Sequence, residues 1–335
     1  MISVNADSSS LTPSPTGRLA PSPTGAQHVG NARTYLLAWL SLRSRGGRVI
    51  LRIEDIDSPR IKPWATQQAL DDLRWLGLDW DEGPVPGEPN AGGPHAPYIQ
   101  TLRRPDYAAA LKRLKREERV YPCTCTRSDV LEAASAPHVG QEGPVYPGTC
   151  AGRTAADADR IADRPYSWRF RVPPGMTDTF RDQFAGDRVS EVARELGDFV
   201  VCKADGTPAY QLAVVVDDHN MGITEVLRGD DLLPSAHRQR LLYAAFGWTP
   251  PRFTHVPLVV GEDGRRLAKR HGDTRLSVLR DRGTPPERLV GLLAHSCGLR
   301  PNASPVAPRE LLDEFDVCLT PRGAWVLTEE MWKSL

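Results

Sequence analysis

Four segments carry residue types that can do chemistry at close spacing. The first is Arg18-Leu-Ala-Pro-Ser-Pro-Thr-Gly-Ala-Gln-His-Val-Gly-Asn31, in which a strand end turns through Pro and Gly into a helix. A helix N-terminus directs backbone N–H groups and the positive end of the helix dipole at one spot, which suits a nucleotide phosphate. His28 can donate to a phosphate oxygen, and Gly30 lets a flat base approach the backbone. A plain helix start capped by His28 is an equally good account of the segment taken alone. The second segment, Gly261-Glu-Asp-Gly-Arg-Arg-Leu-Ala-Lys-Arg-His-Gly272, sets four cations between glycine turns. Lys269 on such a loop could neutralise charge growing on a leaving pyrophosphate, although basic surface loops are common.

The third segment is Cys123-Thr-Cys125 followed by Tyr146-Pro-Gly-Thr-Cys150. Three thiolates and a fourth donor suit tetrahedral zinc, with Tyr146 and His138 both open for the fourth position. Cys202, Cys297 and Cys318 stand apart and are expected to be small core residues. The fourth segment runs from Tyr210 to His219 and continues to Val226-Leu-Arg-Gly-Asp-Asp231. Asp217, Asp218 and His219 either form a metal trio or cap the end of a buried strand.

The elements that must position these groups follow from hydrophobic period. Val29, Ala32, Leu36, Trp39 and Leu40 recur at helical spacing, and Gly46-Gly47 ends that helix. Residues 49–53 read as a strand with Glu54, Asp55 and Asp57 at its carboxyl end. Strand, helix and strand in that order predict a doubly wound parallel sheet, in which ligands sit at the carboxyl ends of strands. Further helices are predicted at 65–76, 103–119, 235–246 and after Pro286, and strands at 167–172 and 212–216. Residues 81–97, dense in Gly and Pro, read as a loop. The 103–119 helix holds seven Lys/Arg against three acids, which fits an RNA-contacting face as well as a solvated one. Residues 1–17 read as a flexible tail; Thr12–Gly17 nearly repeats Ala20–Gly25, and the first copy is taken as chance.

Composition narrows the class. The chain has 335 residues, 40% hydrophobic and 25% charged, so one large or two ordinary domains with a real core are expected. Forty-two basic and 42 acidic residues cancel, which argues against wholesale coating of nucleic acid but leaves room for a local basic face. The longest strongly apolar run, 212–216, is too short to span a bilayer, and residues 1–17 contain no secretory h-region. Six cysteines are too few for a disulfide scaffold. The expected setting is cytoplasmic, without a membrane.

Taken together and in this order, the segments resemble class I aminoacyl-tRNA synthetases of the glutamate type. His28-Val-Gly-Asn31 stands where that family has HIGH, and Arg266-Leu-Ala-Lys-Arg270 where it has KMSKS. Arg52-Ile-Glu-Asp-Ile-Asp57, Val216-Asp-Asp-His219 and Arg228-Gly-Asp-Asp-Leu-Leu233 resemble further signatures of the glutamyl and glutaminyl group. Within the group the chain is similar to the truncated glutamyl-Q tRNA(Asp) synthetases. Cys123, Cys125, Tyr146 and Cys150 look like that family's zinc site. Only 66 residues follow Lys269, whereas an anticodon-recognition domain needs on the order of 100.

The resemblance implies an α/β fold with a Rossmann-type doubly wound parallel sheet in two halves, residues 18–100 and 191–260. An inserted, acceptor-like subdomain with one structural zinc would occupy 101–190. The KMSKS-like loop and a short helical, stem-contact-like region would occupy 261–335. It implies ATP-dependent, tRNA-independent activation of L-glutamate, with Mg²⁺, and transfer to queuosine in the anticodon loop of tRNA(Asp). It places glutamate among Arg18, Leu19, Ala20, Pro21, Ser22, Glu54, Tyr210 and Arg228, and ATP on His28, Gly30, Asn31 and Lys269. His28 and Lys269 would be the catalytic pair, and the enzyme a monomer. Either Arg18 or Arg228 suits a carboxylate, because guanidinium binds one bidentately. The alternatives are a synthetase that charges a tRNA 3′ end and a silent paralogue that binds RNA or an amino acid. Asn31 departs from the last His of HIGH, and Arg266 and Ala268 from the first Lys and the Ser of KMSKS.

Overall fold

The structure is a computed structural model that describes residues 14–56, 60–88, 90–133, 144–267 and 273–335. Strand Thr16–Leu19 pairs in parallel with Arg48–Leu51, from Thr16 opposite Arg48 to Leu19 opposite Leu51. Strand Glu225–Gly229 pairs in parallel with Arg252–Val256. Thr224 N–H donates to the Thr16 carbonyl at 2.8 Å and joins the two pairs. Period-two alternation then clothes both faces. Val49, Leu51 and Leu227 pack with helix Val29–Arg43 in one cluster, while Ile50, Val226 and Phe253 enter another. A parallel sheet covered on both faces is the architecture expected from the strand–helix–strand order.

Thr16 and Gly17, assigned above to the tail, are strand residues. The reason is packing: a Cβ on Gly17 would lie 2.7 Å from Leu42 Cδ1, so the bare glycine lets the helix sit close on the sheet. The near-repeat at 12–17 therefore ends in structure, and residues 1–13 lie outside the described ones.

Residues 212–216 are not a strand. They belong to helix Tyr210–Asn220, in which every residue from Leu212 to Asp218 is buried. A helix enclosed on all sides is apolar all round and has no 3.6-residue stripe. A short apolar run does not separate it from a buried strand, and the β-branched Val214, Val215 and Val216 tilt the prediction to strand. The helices at 65–76, 103–119 and 235–246 occur as Ala65–Trp75, Arg104–Arg116 and Leu233–Phe246, and Pro286–Ser296 follows Pro285.

A separate antiparallel sheet joins Val120–Cys123, Ser167–Phe170 and Phe199–Cys202. Its third strand lies past residue 190, so the boundary drawn there cuts through this sheet. The hairpin Asp178–Asp182 and Gly186–Ser190 packs back on the parallel sheet, where Gln183 N–H donates to the Phe253 carbonyl. Cys202 and Cys297 are core residues as expected, but Cys318 is exposed in a short turn whose N–H bonds are taken by Asp316. Among the described residues, no helix is long and apolar enough to cross a membrane.

Candidate active site

A cavity of about 300 Å³ opens beside the carboxyl ends of the parallel strands. Arg18, Ala20, Ser22, Glu54, Tyr210 and Arg228 line it, together with Tyr35 and Leu232. Leu19 and Pro21 do not. Alternation along an extended chain sends their side chains away: Leu19 enters the core, and the Pro21 carbonyl accepts the Glu54 N–H at 3.0 Å.

Beneath the cavity lies a buried ion network. Arg52 donates to Asp218 at 2.7 Å and to Glu54 at 2.9 Å, with its Nε 3.7 Å from Asp217. Arg103 donates to Asp217 at 2.6 Å, and Gln100 and Tyr107 donate to it as well. Burial pushes the Glu54 carboxyl up, and Arg52 and Arg18 pull it back. The 217–219 trio is therefore no metal site. Its acids face arginines, and His219 stacks on Trp248 with ring centroids 3.8 Å apart.

Arg228 is built differently. Its Nε donates to His255 Nε2 at 3.0 Å, Nη2 to the Leu232 carbonyl at 3.3 Å and Nη1 to the Tyr210 hydroxyl at 3.4 Å. All three partners are neutral, and burial lowers the guanidinium's affinity for its proton. Arg18 reaches the Leu227 carbonyl at 3.4 Å, and its Nε lies 3.6 Å from Asp218.

At the helix start, His28 is the N-cap. Gly30 N–H donates to His28 Nδ1 at 3.1 Å, and His28 N–H donates to Asn31 Oδ1 at 3.1 Å. The capping account of the segment is thus correct, and Asn31 serves the cap. Fewer N–H groups are free for an anion than the motif suggests, since Val29 N–H donates to the Thr274 carbonyl. Burial, with Arg266 nearby, lowers the His28 pKa to about 4. Near pH 7 the ring is therefore neutral. With Nδ1 accepting, its proton sits on Nε2. A Cβ on Gly30 would lie 3.0 Å from His28 Cε1, so the glycine keeps room for that ring. Arg266 donates to Asp231 at 2.9 Å; Ala268, Lys269 and Arg270 lie outside the described residues.

The sulfur atoms of Cys123, Cys125 and Cys150 converge within 4.8 Å. The Tyr146 hydroxyl stands 3.4 Å from Cys123 Sγ and 3.6 Å from Cys125 Sγ, and Cys125 and Cys150 are 3.7 Å apart. Tetrahedral zinc with bonds of about 2.3 Å holds its sulfurs at about this separation, so the donor set fits that ion. His138 lies outside the described residues.

The class I (E and Q) tRNA synthetase catalytic-domain model matches residues 16–323. This chain belongs to that family. A glutamyl-Q tRNA(Asp) synthetase from Symbiobacterium thermophilum is 53% identical over 91% of this chain and 94% of its own length. Another, from Rhodopirellula baltica, is 50% identical over 92% and 93%. Among solved structures, a glutamate tRNA ligase from Elizabethkingia meningosepticum, in complex with its amino acid, superposes with a TM-score of 0.80. That structure is 29% identical, over 96% of this chain and 68% of the ligase. The α/β fold is thus that of the class I synthetases.

Four side chains at this synthetase site escaped the sequence. Arg52 lies inside a quoted motif, yet only the structure pairs it with three acids. Tyr35 lies about two turns beyond the His28 cap, where helical spacing could have pointed to it. Asp182 and His255 are 73 residues apart and carry no local signal.

Proposed function

We propose that this enzyme activates L-glutamate with ATP and transfers the glutamyl group to queuosine in the anticodon loop of tRNA(Asp). Relatives of about half-identical sequence and matching length are glutamyl-Q tRNA(Asp) synthetases. A glutamate carboxylate oxygen attacks the α-phosphorus of ATP, and the bond to pyrophosphate breaks. A hydroxyl of the queuosine cyclopentenediol then attacks the glutamyl carbonyl of the adenylate, losing its proton, and the acyl–phosphate bond breaks to release AMP. The first step occurs without tRNA. Displacement at phosphorus depends on positioning and charge stabilisation. Magnesium enters with ATP and spreads phosphate charge.

The observation that carries the assignment is Arg228, a buried cation held by neutral groups at a cavity of amino-acid size. A substrate carboxylate supplies the missing anion. Arg18 and Arg228 hold carboxylate groups, Glu54 takes the α-ammonium, and Tyr210 gives a wall and a hydroxyl. Ala20 and Ser22 line the opening, while Leu19 and Pro21 act through the backbone between them. His28 donates from Nε2 to a phosphate, Gly30 clears the way for the adenine, and Asn31 holds the cap. Lys269 stabilises the departing pyrophosphate. Cys123, Cys125, Cys150 and Tyr146 hold one structural zinc, since four protein donors leave no open position. We place the enzyme in the cytoplasm as a monomer.

The deciding experiment follows labelled glutamate onto tRNA(Asp) with and without queuosine, with tRNA(Glu) alongside. Transfer only to the queuosine-containing tRNA is expected. Label on the 3′ end of tRNA(Glu) would overturn the assignment in favour of ordinary charging. Glutamate-dependent exchange of pyrophosphate into ATP without tRNA tests the activation step. One zinc per chain is expected from metal analysis, falling in a Cys150→Ser variant.

A further inference from the structure

Behind Arg228, on the side away from the cavity, stand two fully buried ionisable side chains that the proposed reaction does not use. His255 Nδ1 lies 2.6 Å from Asp182 Oδ2, and its Nε2 lies 3.0 Å from Arg228 Nε. Neither Asp182 nor His255 exposes any of its side chain. The other Asp182 oxygen, Oδ1, accepts backbone N–H groups from Phe184, Ala185 and His255. Asp182 is thereby pinned on both oxygens.

The donor count along this line has one solution. Arginine Nε always carries hydrogen and can only donate. His255 Nε2 must then be a bare acceptor, and the ring's single proton must sit on Nδ1. There it donates to Asp182, which accepts only. Burial lowers the His255 pKa to about 4, so the ring is neutral near pH 7 and the pattern holds. Protonation of Nε2 would set a second donor against the guanidinium.

We infer that Asp182 and His255 are positioning residues for glutamate: Asp182 selects the His255 tautomer, and His255 aims the Arg228 guanidinium into the cavity. This rests on the glutamate site proposed above. Nε is spent on His255 and Nη2 reaches the Leu232 carbonyl, so the Nη1 side beside Tyr210 faces the pocket lining. A guanidinium held in place before the substrate arrives loses little freedom on binding. The same line ties the 178–190 hairpin to amino-acid recognition, since Asp182 ends its first strand.

The test is Asp182→Asn. Three backbone N–H groups require the amide oxygen on the Oδ1 side, which turns the amide NH₂ toward His255 Nδ1. That ring must then carry its proton on Nε2, against Arg228. In tRNA-independent ATP–pyrophosphate exchange, the KM for glutamate should rise about ten- to a hundredfold. The KM for ATP should stay within about twofold and kcat should fall much less than KM rises. Nitrogen NMR of the His255 ring should show protonated Nδ1 in the wild type and protonated Nε2 in the variant. A wild-type KM for glutamate in a folded Asp182→Asn protein overturns the inference, as does an equal rise for ATP. Should that variant not fold, His255→Gln supplies the second measurement. Its amide oxygen can accept from Arg228 without Asp182, so it should restrain the KM rise to within about tenfold, where His255→Leu should not. Equal KM values in those two variants would also overturn the inference. Wild-type protein with no glutamate-dependent exchange would refute the glutamate site itself, and the ring spectrum would still decide the tautomer.

Discussion

Arg52 and Arg228 are both buried at one end of the same sheet, and they are built in opposite ways. Arg52 has three carboxylates at 2.7 to 3.7 Å, those of Asp218, Glu54 and Asp217. Those acids hold its proton more tightly than usual despite burial. Arg228 has a ring nitrogen, a phenol and a carbonyl, and burial makes its charged form less favourable. The first cation completes its neutralisation within the fold. The second leaves that to a ligand. A buried charge without a fixed counter-charge costs stability, and such a site persists where function requires it.

The sharpest way to break this contrast is to remove each cation. Arg52→Met leaves Glu54, Asp217 and Asp218 buried around an apolar chain. It should destabilise the protein by about 3–5 kcal/mol, read from the urea midpoint. Arg228→Met should leave the ligand-free protein as stable as the wild type or slightly more so. Its kcat/KM for glutamate in pyrophosphate exchange should fall at least about a hundredfold, roughly 3 kcal/mol. Equal loss of stability in both variants would erase the distinction.

A smaller effect is expected from pH. The folded His255 pKa lies near 4 against 6.5 for the free side chain, so between those values the unfolded chain binds the extra proton. The stability tied to the neutral ring is whole above pH 6.5 and is lost as pH falls toward 4. From pH 7 to pH 5 that loss is about 2 kcal/mol for this one ring. Comparing the pH slopes of wild type and His255→Gln isolates it, and unchanged slope would remove the buried neutral imidazole from the account. The smallest effect belongs to Tyr210→Phe. Its hydroxyl meets Arg228 at a long 3.4 Å, so the KM for glutamate should rise only a few-fold.

Much of the site was legible because short motifs bring their own geometry. Arg18, Ala20 and Ser22 share a face through strand alternation, and His28 falls at the helix start that its own sequence announces. The cysteines converge because Cys123 and Cys125 flank one strand end and the turn at Gly148–Ala151, about 25 residues on, presents Cys150 to them. Other features were out of reach. Residues 212–216 predict a strand although they lie in helix Tyr210–Asn220, because enclosure on every side removes the periodic signal. Strand Phe199–Cys202 joins a sheet begun nearly eighty residues earlier, and a pairing at that separation leaves no local signal on either side of residue 190.

From the order of residues alone came the His28 turn, the acid and arginines that line the cavity, the cysteine set and the family. Each was legible segment by segment, because local chain geometry dictates the turn or strand end that carries it, and the fold then brings Arg18, Glu54 and Arg228 to one cavity. Tertiary structure decided which arginine is neutralised and which is left for a ligand. That depends on Asp182, Asp217, Asp218 and His255, groups brought from distant segments. Charge at a buried site is set by what lies within a few ångströms, whatever the separation along the chain.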